Sequence, residues 1–158
     1  MKRLLALTAL TLGSAAPLAA QSLIGVWKPV EVVLSGGPDA GRHTTDLQPG
    51  QAIFTGQHYA TLYVSGFAPR PRLSTQPTDE ERGKVFDKFI ANAGTYQLKD
   101  SVLSYTPVVA KNPATMSGTT YTMFVRIRAD SAWFTSRAAT TGIETQSKWI
   151  RTEKFAAK

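Results

Sequence analysis

The chain has 158 residues, a formal net charge of +7 and no cysteine. That length suits one domain with a sizeable core, and the missing thiols exclude a disulfide framework, a thiolate nucleophile and a Cys-ligated metal. Some of the cations, Arg70, Arg72, Lys111, Arg126, Arg128, Lys148, Arg151 and Lys154, are spread over several segments rather than massed in one stripe, which argues against nucleic acid as a partner.

Met1-Lys2-Arg3 is a basic start, Leu4 to Leu12 is apolar, and Gly13 to Ala20 is rich in small residues. This pattern reads as a secretory signal over 1–20, cut after Ala20, followed by one domain over 21–158. The apolar run is too short for a permanent span, and no cysteine follows it to take a lipid. The expected product is exported, periplasmic or secreted, with no stable membrane anchor and an undetermined oligomeric state.

Leu23 to Leu34 is strand-like, with Val26, Val30, Val32, Val33 and Leu34 as its strand formers. Pro29 inside it predicts a bulge or weak pairing. A Gly-, Pro- and Asp-rich loop runs from Ser35 to Gly50, at a barrel mouth. Gln51 to Thr55 and His58 to Ser65 form a hairpin across Gly56-Gln57. Pro69, Pro71 and Pro77 make Phe67 to Pro77 an extended connection. Thr78-Asp79-Glu80-Glu81 is a capping box that opens a helix, with Val85, Phe86, Phe89 and Ile90 as its apolar face and Asn92 or Gly94 as its stop.

Thr95 to Leu98 and Ser101 to Thr106 form a second hairpin, followed by a polar loop from Ala110 to Gly118. Thr119 to Arg128 alternates, with Tyr121, Met123 and Val125 inward and Arg126 and Arg128 outward. Ser131 to Arg137 and Ile143 to Glu153 complete the set. The predicted fold is all-β, an eight-stranded antiparallel up-and-down barrel with one α-helix between the third and fourth strands. Trp27 in the first strand and Arg151 in the last are expected to meet, the guanidinium stacked on the indole, closing the barrel.

Leu23-Ile24-Gly25-Val26-Trp27-Lys28, Phe89-Ile90-Ala91-Asn92-Ala93-Gly94-Thr95-Tyr96 and Trp149-Ile150-Arg151, in this order, resemble the bacterial lipocalin-like domain family over nearly the whole domain. Members begin on Gly-Thr-Trp, here with Val26 for the threonine, have a helix leading into Gly-Thr-Tyr, and end on Trp-x-Arg. The resemblance implies a calycin-type barrel with an internal cavity and names no ligand. It also implies a structural role at the closed end for Trp27 and Arg151, with Trp149 pointing the same way as Arg151 and Trp133 either sharing the plug or facing out.

The chemistry-bearing residues are sparse. His43 and His58 have no third ligand at metal-binding spacing, and no serine stands in a Gly-x-Ser-x-Gly context, so neither a metal, a cofactor nor a catalytic residue is assigned. Glu31 shares parity with Trp27. With the register unbroken at Pro29 its carboxylate points into the barrel, paired with an arginine or available to a ligand; a bulge would turn it outward. Tyr59, Thr61, Tyr63 and Ser65 oppose His58, Ala60, Leu62 and Val64. Either the hydroxyl-bearing set lines a cavity for an amphipathic molecule, or Leu62 and Val64 fill a core.

The candidate ligand-binding residues are therefore Glu31, Tyr59, Tyr63, Tyr121 and Met123. The leading expectation is an exported, non-catalytic barrel whose partner is a small hydrophobic or amphipathic ligand. The alternatives are a small envelope enzyme using the same cavity and a filled barrel acting as a protein-interaction module.

Overall fold

A computed structural model describes residues 22–155; the predicted signal and its cleavage site lie outside the described residues. The strands are β1 (Gly25–Ser35), β2 (His43–Thr44), β3 (Gly50–Phe54), β4 (His58–Val64), β5 (Phe89–Lys99), β6 (Val102–Ala110), β7 (Tyr121–Arg128), β8 (Ser131–Arg137) and β9 (Glu144–Glu153). Helix α1 (Asp79–Asp87) stands between β4 and β5, and a 3-10 helix (Pro113–Met116) between β6 and β7. Every ladder is antiparallel, and β1 also pairs with β9, so the sheet closes on itself. Short β2 sits on β1 beside the ring, which leaves eight strands to form the barrel.

Strand direction alternates around the ring, and this sorts the connections by length. The tight turns at 55–57, 100–101 and 129–130 lie at one end together with the start of β1 and the end of β9. The long connections, 36–49, 65–88, 111–120 and 138–143, lie at the other. One end can therefore be sealed by side chains and the other carries the loops.

Trp27 seals the first end. It is fully buried, with Leu23 beside it, and its indole Nε1 donates to the Leu23 carbonyl at 2.6 Å. Directly across the β1–β9 ladder stands Arg151, its guanidinium 4.5 Å from the centre of the Trp27 ring. Its two terminal nitrogens donate to the Ile24 and Ser22 carbonyls at 3.0 and 2.8 Å, so the chain entering β1 is strapped down by the strand that ends the fold. Gly25 makes that approach possible: it has φ +135°, and a Cβ there would run into the Glu153 carbonyl oxygen. Thus the glycine, tryptophan and arginine of the two end motifs form a single contact.

Two sequence expectations are corrected. The loop after β1 contributes its own strand, β2, held by Val32 opposite Thr44 and Val33 opposite His43, so the helix follows the fourth strand rather than lying between the third and fourth. The helix is also shorter than its apolar pattern implies. Its capping box forms, with Thr78 N–H donating to Glu81 at 2.7 Å, but it ends at Asp87 and buries no residue; Phe86 is exposed. Phe89 and Ile90 instead open β5, opposite Val64 and Tyr63. Adding full ladder bonds to β4 outweighs one more turn of a helix with nothing to pack on.

Replacing Arg151 by alanine removes the stacked cation and two charge-assisted hydrogen bonds. The expected loss is roughly 3 kcal/mol, on the order of 10 °C in melting temperature, with a change in Trp27 emission. Unchanged stability and unchanged fluorescence would show that the contact does not close the barrel.

Candidate functional site

Above the Trp27 plug lies a cavity of about 470 Å³. Its walls come from every barrel strand: Pro29, Val32 and Leu34 from β1, Ala52 and Phe54 from β3, Tyr59, Thr61, Tyr63 and Val64 from β4, and Asn92 from β5. Leu103 and Tyr105, Met123, Phe134 and Ser136, and Thr145, Ser147 and Trp149 continue the wall through β6, β7, β8 and β9. Leu47, Gln48, Ser65, Gly66 and Phe67, from the long connections, line it at the mouth.

The position of Pro29 decides what β1 shows to this space. In the ladder with β9, Pro29 faces Trp149 and Glu31 faces Lys148, so Val30 is an extra residue and the strand bulges there. A bulge inverts the parity beyond it. Val32 and Leu34 turn inward, and Glu31 does not line the cavity; its carboxylate lies 3.2 Å from His43 Nε2 on β2. The inward reading of Glu31, which required an unbroken register, is corrected accordingly. The bulge forms here because, on its other edge, β1 pairs with β3 only from Gly25 to Trp27 and with β2 only at Val32 and Val33. A residue without an N–H costs least where half the ladder is already absent.

Tyr59, Tyr63 and Met123 are in the cavity wall, together with Thr61 and Ser65. Tyr121 stands behind it, its ring stacked on that of Tyr105 at 5.6 Å. Trp149, expected with the plug, is one step further up β9, where it forms wall and meets Phe134 edge-on at 6.0 Å. Phe134 stacks with Phe54 at 6.3 Å, Phe54 with Tyr59 at 6.3 Å, and Tyr59 meets Tyr105 at 5.6 Å. The rings thus form a continuous belt around one side of the cavity. Trp133 faces outward, with Arg126 4.3 Å and Lys148 5.4 Å from its ring centre.

The electrostatics of the wall are those of neutral phenols. Burial, with a smaller contribution from Tyr105, pushes Tyr59 up from 10.0 to about 12. Burial likewise raises Tyr63, and it raises Tyr105 with help from Tyr63 and Tyr121. Two polar atoms in the wall are buried and have no hydrogen-bond partner among the described residues: the Tyr59 hydroxyl and Asn92 Oδ1. Sequence reasoning places Asn92 at a helix stop and so misses it; the signal was the unbroken run from Phe89 to Tyr96, long enough for a strand.

The mouth is braced by cations on aromatic rings. Arg42 lies 3.9 Å from the centre of Phe67, and Lys111 lies 4.4 Å from that of Phe86 while donating to the Phe86 carbonyl at 2.6 Å. These contacts tie the connections at 36–49, 65–88 and 111–120 to one another, although α1 itself packs loosely.

No protein-family model matches the sequence, and no curated protein matches it significantly. Among solved structures the chain is similar to a lipocalin-like protein from Bacteroides uniformis, 16% identical, with 84% of this chain and 98% of that chain covered and a TM-score of 0.44. An uncharacterized protein from Bacteroides eggerthii is similar at 11% identity, over 80% of this chain and 98% of that chain, with a TM-score of 0.41.

Tyr59→Phe removes a buried hydroxyl that has no partner and is expected to stabilise the protein by about 1 kcal/mol near neutral pH. The sign at high pH follows from the raised phenol. A group held protonated in the fold stabilises fully below its ordinary value of 10.0, and that stability is lost as pH climbs toward about 12. Urea midpoints measured from pH 8 to 12 should fall less steeply for Tyr59→Phe than for the unchanged protein; equal slopes would refute the assignment.

Eight antiparallel strands closed in a ring, plugged at the end of the tight turns and hollow toward the long loops, make this chain an up-and-down β-barrel, the fold that the lipocalin-like resemblance implies.

Proposed function

We propose that the protein is an exported carrier that holds a small apolar or amphipathic molecule in the barrel cavity without transforming it. The observation that carries this reading is the hollow itself. A volume of about 470 Å³ lies within the range of small-molecule sites, and a barrel filled by its own side chains for protein interaction would not keep it. The wall is mostly aliphatic and aromatic, with hydroxyls and amides at intervals, which suits a ligand with an apolar body.

Holding rather than converting is favoured by the titratable groups in the wall. They are tyrosines, Tyr59, Tyr63 and Tyr105, and burial raises all three, away from the range where a side chain exchanges protons readily near neutral pH. Export rests on the basic, apolar and small-residue order of 1–20.

Native mass spectrometry of the protein purified from its own host should show a bound mass below that of a phospholipid, which organic extraction releases. A protein that is empty from every preparation, and that takes up no neutral apolar dye, would sink the carrier reading. Separately, N-terminal sequencing of the mature protein should begin at Gln21 or within a residue or two of it. Recovery of the protein with Met1 intact from the cytoplasmic fraction alone would rule out export.

A further inference from the structure

Cations that are far apart in the sequence are gathered by the ladders onto one outer face of the barrel. In its central row Arg126 of β7 stands opposite Trp133 of β8, and Trp133 stands opposite Lys148 of β9. Both cations lie over the indole, 4.3 and 5.4 Å from its centre. The next row runs through Arg128, Ser131 and Ile150 to Lys28 of β1. On the other side of the central row Phe124 stands opposite Val102, and Val102 opposite Lys99. Alternation fixes the direction of these side chains. Trp27, Leu103, Val125, Ile127 and Trp149 are buried, so Lys28, Val102, Phe124, Arg126, Arg128, Lys148 and Ile150, their neighbours in sequence, point away from the interior.

The charge on this face is uncompensated. Among the described residues none of Lys28, Lys99, Arg126, Arg128 and Lys148 is in an ion pair. Glu31 faces Lys148 across the closing ladder, but its carboxylate lies 3.2 Å from His43, and Asp130 is taken up by Arg151 and Lys154. Asp100 is next to Lys99 in the turn at the edge of the face. Apolar surface stands among the cations: Phe124 is 64% exposed, and Val102 and Ile150 are exposed on the same face.

A partner for such a face has to supply anions and an apolar contact side by side. Nucleic acid offers phosphates but leaves Phe124, Val102 and Ile150 against a polar backbone. A peptide or a small anion needs a concavity, and this is the convex wall of the barrel. Neither the barrel cavity nor the cleft beside Leu23 and Tyr96 includes any of these residues. The boundary between headgroups and acyl chains in an anionic bilayer supplies both contacts over an area, and it is the depth at which tryptophan concentrates.

We propose that this face docks the barrel reversibly onto an anionic phospholipid bilayer, with Arg126, Arg128, Lys148, Lys28 and Lys99 on the headgroups and Phe124 and the Trp133 edge at the acyl boundary. The docking is independent of what the cavity holds.

The test is flotation of the purified protein with vesicles of phosphatidylcholine alone and of phosphatidylcholine containing roughly a third phosphatidylglycerol. The expected result is binding to the anionic vesicles only, with release at high salt. Trp27 and Trp149 are buried, so a blue shift in emission on binding reports Trp133, and Trp133→Phe should abolish it. Arg126→Gln with Arg128→Gln should weaken binding by about thirtyfold with the melting temperature unchanged, whereas Arg70→Gln with Arg72→Gln, the same change of charge elsewhere, should weaken it severalfold less. Failure to bind anionic vesicles, equal binding to neutral ones, or equal losses from the two double variants would overturn the proposal. So would a blue shift that survives Trp133→Phe, or displacement from the vesicles by an acidic polypeptide or a DNA duplex at equal charge.

Discussion

The constraint on which the rest of the molecule depends is the meeting of its first and last strands over Trp27. An open sheet of eight twisted strands presents two edges of unpaired backbone, and closure removes both at once. Here the closing ladder runs nearly the whole length of β1 against β9, and at its base Arg151 lies over the Trp27 ring and holds the carbonyls of Ser22 and Ile24. Plugging one end with a single indole also decides where space can remain. Side chains fill the floor, Leu23, Val125, Ile127 and Ala132 among them, and the hollow begins where that layer stops.

The second controlling feature is a one-residue irregularity above the plug. Without the bulge at Pro29, alternate residues from Trp27 would carry Glu31 inward, and the cavity would contain a carboxylate. With it, Val32 and Leu34 form the wall, and Glu31 meets His43 outside. The neutrality of the cavity is therefore partly a backbone effect. Moving the extra residue by one or two positions along β1 would change the charge of the site without any change in composition.

Which parts of this were legible in the sequence follows from the range of the forces involved. Trp27, Arg151, the capping box at Thr78 and the alternation of Tyr121, Met123 and Val125 are fixed by local geometry or by a motif, and each is visible in a few residues. The bulge was visible as a conditional statement about Pro29, but its direction depends on which edge of β1 lacks a partner, and that is a property of β2 and β3. The start of β5 was not legible. Phe89 and Ile90 fit a helical face as well as a strand, and only the presence of Tyr63 and Val64 across the ladder decides between them. Asn92 was lost with that boundary, and with it a polar side chain of the cavity wall.

The wall of the cavity carries a cost in stability. A phenol and an amide oxygen buried without partners weaken the empty fold, and a barrel whose only task was to be stable would carry phenylalanine and leucine there. The closed end is not free of the same cost: the Trp27 N–H and the Arg151 terminal nitrogens have acceptors, but the buried Arg151 Nε has only the Asp130 carboxylate, 3.5 Å away, and makes no hydrogen bond.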